Sequence, residues 1–67
     1  ALGESLTPRE VDILKFLASG HSNNDLADRL AVSRNTVKFH LRNVYAKLSV
    51  NNRMQAVQAA RHYKLID

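Results

Sequence analysis

Apolar positions recur along this chain at helical spacing, in four blocks separated by short polar breaks. Ile13, Leu14 and Leu17 form the first stripe, with Phe16 beside it. Just upstream, Thr7 precedes Pro8, the only proline, and Glu10 follows: an N-cap, a first helical position and a reciprocal carboxylate. A helix over about 8–19 is predicted, stopped by Gly20 as a left-handed C-cap. Ser22-Asn23-Asn24-Asp25 repeats the start signal and opens a second helix over about 23–30, burying Leu26, Ala27 and Leu30. Ala31 and Val32 make a tight turn, and Ser33 caps a third helix over about 34–48. Its stripe is Val37, Leu41, Val44 and Leu48. Ser49, Val50 and Asn51 break the pattern before a fourth helix over about 52–63, with Ala56, Val57 and Ala60 on one side. No strand alternation and no repeat interrupts this order. The expected fold is all-α: a compact four-helix domain over residues 6–67, preceded by Ala1–Ser5 as linker or expression remnant of a longer protein.

A chain of 67 residues makes one small domain. A core of that size contributes only about 3–5 kcal/mol of net stability. There is no cysteine, so disulfide staples and thiolate metal sites are excluded. No apolar run reaches the length of a membrane span and no signal-peptide pattern is present. A cytoplasmic, nucleoid-associated setting is the expectation.

Charge changes the picture more than size does. The formal net charge is +4, but its distribution is the informative part. From Arg29 to Ile66 there are eight basic residues and no Asp or Glu; Glu4, Glu10, Asp12, Asp25 and Asp28 precede that stretch and Asp67 follows it. Basic charge gathered on one element is the electrostatic footprint of a nucleic-acid binder. Two helices joined by a short turn, the second one basic, read as a helix-turn-helix. Ala27 stands where the two helices cross and Val37 is the matching buried residue; Ala31 occupies the turn position where glycine is usual.

Around the third helix, Lys38, Arg42, Asn35 and Phe39 fall at about 100°, 140°, 160° and 200° from Val37, away from the core stripe. Lys and Arg can donate to guanine, Asn can serve adenine, and Phe39 suits thymine methyl groups. These four are the candidate base-reading residues. The competing reading of Phe39 is a surface aromatic without a role. Ser33 and Thr36, with the free amides at the helix start, form an anion site, and they also serve as caps. Arg34, Lys47 and Arg53 flank the reading face and are candidates for holding phosphates; the alternative for each is a solvated cation.

At this point four motifs agree with one family. Leu6-Thr7-Pro8-Arg9-Glu10, Gly20-x-Ser22-Asn23-x-x-Leu26-Ala27-x-x-Leu30, Ser33-x-x-Thr36-Val37-Lys38-x-His40 and Lys47-Leu48-x-Val50-x-x-Arg53-x-x-Ala56-Val57 resemble the LuxR/GerE-type DNA-binding domain, over residues 6–60. The stretches Arg42–Leu48 and Ala56–Ala60 are most similar to the large ATP-binding activators of the maltose-regulator type. The resemblance implies the C-terminal output domain of a bacterial transcription regulator, binding double-stranded DNA as a homodimer and reaching RNA polymerase through its parent protein. It implies that Lys38, Phe39 and Arg42 face the bases and that the fourth helix makes the dimer contact. Met54, Gln58 and Arg61, with Val57, are the candidates there; an ordinary half-exposed helix face is the alternative. Phe39 departs from the small or β-branched residue common in the family, which leaves its target base open.

Three other readings compete with this one. For an enzyme, His21, His40 and His62 have no ligand-like spacing. His21, Ser22 and Asp25 are explained by a loop and a cap, so neither catalysis nor a metal or cofactor is expected. A sigma-factor-like promoter-recognition domain would use the same groove chemistry asymmetrically, and the Thr36-Val37-Lys38-x-His40 block argues against it. A helical protein-interaction module would want apolar surface where this chain aligns Lys, Arg and Asn.

Overall fold

The structure, a computed structural model, describes residues 6–66; Ala1–Ser5, read above as a linker, and Asp67 lie outside the described residues. Four helices follow one another: α1 (Pro8–Ala18), α2 (Asn23–Leu30), α3 (Arg34–Leu48) and α4 (Arg53–His62). There is no strand among the described residues. Each start is set locally. Thr7, Ser22, Ser33 and Asn52 are extended N-caps whose side chains accept the amide three residues on, from Glu10, Asp25, Thr36 and Gln55. In α1 and α2 the acid at that third position returns the bond, closing a full capping box. The fourth helix begins at Arg53, with Asn52 as its cap, and ends at His62, with Tyr63 following.

All four helices end the same way. The N–H after a left-handed residue bonds back five positions: His21 to Phe16, Val32 to Ala27, Val50 to Tyr45 and Leu65 to Ala60. The left-handed residue is glycine only once, Gly20 at φ 86°; the others are Ala31, Ser49 and Lys64 at φ 57°, 57° and 59°. For a residue with a Cβ this conformation costs about 1–2 kcal/mol. Ala31 and Ser49 are solvent-exposed, so neither side chain offsets that cost by packing. Ala31→Gly and Ser49→Gly are each expected to stabilise the domain by about 0.5–1 kcal/mol, after allowing for the freer unfolded glycine. A higher urea midpoint at unchanged slope is the readout; a lower midpoint would refute the strain argument.

The core is a single cluster. It joins Ile13, Leu14 and Leu17 of α1, Leu26 and Ala27 of α2, Val37, Leu41, Val44 and Leu48 of α3, Ala56 and Ala60 of α4, and Ile66. α3 packs against each of the other three helices, and α1 also packs against α4. Alanine at both buried positions of α4 lets that backbone come close. Two placements differ from the sequence reading. Leu30 is only half-buried, because it stands at the rim where the chain turns out of α2. Ile66, beyond the last helix, closes the core, brought there by the left-handed turn at Lys64.

Among the described residues one charged side chain is buried. Glu10 is 3% exposed, accepts the Thr7 amide at 2.9 Å and pairs with the Lys47 ammonium of α3 at 2.7 Å. No buried side-chain nitrogen or oxygen among the described residues lacks a partner.

Candidate nucleic-acid interface

α3 is amphipathic, and its outward face carries the residues that the sequence offers as candidates for base reading. Asn35, Lys38, Phe39 and Arg42 are all exposed, while Val37, Leu41, Val44 and Leu48 are buried. Phe39 keeps 60% of its surface in solvent, although an aromatic ring gains from burial. Packing against the core is therefore not what holds that ring. The first turn of α3 carries no acid, and neither does that of α4, whereas α1 and α2 carry Glu10 and Asp25. The positive ends of the last two helices thus lack a side-chain counter-charge in their first turns. Ser33 accepts the Thr36 amide at 3.1 Å, and the two hydroxyls share a 3.0 Å hydrogen bond. Both remain near the surface beside Arg34, whose guanidinium reaches Asn24 at 3.4 Å.

The cations expected to flank this face are not equivalent. Arg53 donates one guanidinium nitrogen to the His21 carbonyl and the other to the Asn23 side chain, at 2.7 Å for the latter. It therefore ties the start of α4 to the start of α2. Lys47 is held by Glu10, on the side of α3 facing α1. Neither bond was legible in the sequence, since the partners lie 32 and 37 residues away.

The Arg53 tether also creates surface that the sequence reading missed. Asn23, Lys38, Arg42, Tyr45, Asn51 and Arg53 line one open groove beside the reading face. Nothing in the sequence marks Asn23, Tyr45 or Asn51 for this surface; the packing of α2 and α4 onto α3 brings them there. On the far side of α4, Met54, Val57, Gln58 and Arg61 line a second, more apolar groove floored by Leu17. Met54 is 71% exposed in it. All four residues expected at a dimer contact thus share one surface.

His21 and Asp25 take part in the loop and cap that open α2. Asp25 accepts the Ser22 amide at 3.3 Å while Ser22 Oγ accepts the Asp25 amide, and His21 Nδ1 stands 3.8 Å from the Asp25 carboxylate. His21 packs edge-on against Phe16, whose ring lies under the Arg29 guanidinium. No group of three or more His, Cys, Asp or Glu among the described residues is placed to hold a metal ion. None of the described helices is long and apolar enough to cross a membrane.

The fold perturbs the titration of Glu10. Burial raises its pKa, but the hydrogen bond from Lys47, the Thr7 amide and the Lys47 charge together outweigh it, and the carboxyl titrates below its ordinary value of 4.5. A depressed folded pKa means stability that is present above pH 4.5 and lost as the pH falls through the folded value. The urea midpoint is therefore expected to drop on acidification below pH 4.5, and Glu10→Gln, which keeps the cap geometry without the charge, should flatten that limb. An acid limb unchanged in Glu10→Gln would refute the assignment.

Comparison with known proteins gives a consistent result. Residues 4–60 match the family model described as bacterial regulatory proteins, luxR family. The chain is 56% identical over 54 residues to the probable transcriptional regulatory protein SgaR of Hyphomicrobium methylovorum, covering 81% of this chain and 26% of that protein. It is 49% identical over 55 residues to the HTH-type transcriptional regulator MalT of Serratia proteamaculans, covering 82% of this chain but 6% of that one. The chain therefore spans a small part of both relatives. Among solved structures, the response regulator ChrA of a heme-sensing two-component system superposes with TM-score 0.90 at 48% identity, over 92% of this chain and 31% of that one. The transcription factor GerE superposes with TM-score 0.87 at 31% identity, over 100% of this chain and 96% of that one.

Proposed function

The chain belongs to the luxR family of bacterial regulatory proteins, and from that premise we propose that it binds double-stranded DNA in a sequence-specific manner, with α3 in the major groove. The observation that carries this is the acid-free exposed face of Asn35, Lys38, Phe39 and Arg42 at the start of α3. In this reading those four side chains address base edges. Ser33, Thr36, Arg34 and Arg53 set the register on phosphates. Lys47, whose ammonium lies on Glu10 at the side of α3 facing α1, is the flanking cation least suited to a direct phosphate bond. Two copies pair through the α4 groove of Met54, Val57, Gln58 and Arg61, whose exposed Met54 supplies apolar surface for a partner. The parent protein brings the input signal and the contact with RNA polymerase.

The test is selection of bound duplexes from a randomised library at moderate salt. An inverted repeat with half-sites about one helical turn apart is the expected result. Affinity on that duplex should fall with salt at a log–log slope of about −0.9 per phosphate engaged. A single asymmetric element would overturn the dimeric part and favour a sigma-like reader. Absence of any salt-sensitive binding would overturn the whole reading.

A further inference from the structure

Phe39 is the residue of the reading face whose chemistry is least like its neighbours'. Its ring is exposed and stands outside the apolar core cluster, on the outward face of α3 that also carries Asn35, Lys38 and Arg42. The His40 ring meets it edge to face, with centroids 5.8 Å apart and planes at 63°. That contact favours one ring orientation before any DNA is present. A phenyl ring can neither donate nor accept a conventional hydrogen bond, so the polar edges of a base pair offer it nothing. Covering them would leave buried donors or acceptors unpaired. The apolar group that the major groove displays is the C5-methyl of thymine. The same position on cytosine is bare unless the base is methylated.

We propose that Phe39 reads a pyrimidine C5-methyl group in each half-site, so that recognition of that position depends on a methyl rather than on a hydrogen-bonding edge. The assignment rests on α3 lying in the major groove, as proposed above. It implies that one position of the operator prefers thymine, and that 5-methylcytosine placed there binds better than cytosine.

The experiment uses the duplex selected by the chain. Each thymine of a half-site is replaced in turn by deoxyuridine, which removes the methyl and leaves pairing and the polar edge intact. One position is expected to lose affinity about fourfold, equivalent to ~0.8 kcal/mol and to the burial of about one methyl group. At that position 5-methylcytosine should outbind cytosine by a similar factor. Phe39→Ala should abolish both differences, while Lys38→Ala retains them; circular dichroism confirms that each variant is folded. The proposal is overturned if no uridine substitution weakens the wild-type chain, or if the uridine penalty survives in Phe39→Ala. It is also overturned if Phe39→Ala weakens every duplex alike while selection of a half-site persists, a result that leaves the groove reading standing. Failure of the wild-type chain to select any duplex would instead remove the groove reading, and this assignment with it.

Discussion

A chain carrying both Lys38→Ala and Arg42→Ala is expected to lose about 2–6 kcal/mol of discrimination between its operator and unrelated DNA, each side chain contributing ~1–3 kcal/mol. Both are exposed and on the outward face of α3, so the fold should tolerate the change with little effect on its melting. They stand four residues apart on one face, where helical side chains are neighbours. The double variant therefore also reports their coupling: a loss different from the sum of the singles would show that the two side chains act on DNA together rather than independently. Binding to unrelated DNA should weaken much less, because phosphate contacts carry it. Equal weakening on operator and unrelated DNA, measured at one salt concentration, would remove base reading from these two residues.

Leu26→Ala is expected to unfold the domain. Leu26 has no exposed surface and sits in α2, the helix that sets the position of α3. Truncating a fully buried leucine costs about 3–5 kcal/mol from lost transfer energy and the cavity left behind. A single core of this size supplies roughly that much in total. Loss of the far-UV helical signal at 25 °C, together with DNA binding, is the predicted result. Phe39→Ala removes a larger side chain from an exposed site and should shift stability by less than about 0.5 kcal/mol. The contrast tests burial, rather than side-chain size, as the source of stability. A Leu26→Ala chain that melts cooperatively within a few degrees of wild type would show the core to be far more robust than its size implies.

Much of the architecture is legible along the chain because its signals are short-range. A cap such as Thr7 with Glu10 or Ser22 with Asp25 spans three residues, so the sequence alone places it. The stripe Val37, Leu41, Val44 and Leu48 likewise repeats within one helix, and the opposite face of Asn35, Lys38, Phe39 and Arg42 follows from the same periodicity. The helix ends are less legible. Gly20 announces its left-handed turn, whereas Ala31, Ser49 and Lys64 adopt the same geometry against their own preference. Packing decides there: the turns must bring Val32 and Val50 back against the core and Ile66 into it.

The sequence by itself determined four helices, the caps Thr7, Ser22 and Ser33, the buried stripes of α1 and α3 and an acid-free exposed face on α3. Those features depend on residues three or four positions apart, whose relation is the same in any helix. Only the tertiary structure decided which partners Lys47 and Arg53 take on the other helices and their connections. Lys47 meets Glu10 and Arg53 meets the His21 carbonyl because α3 and α4 dock onto α1 and α2 at one particular angle. Two cations that look alike in the sequence become, through that docking, a core-edge ion pair and a tether that shapes the groove beside the reading face. A long side chain is paired by whichever polar group packing brings within reach, and no local pattern encodes that choice.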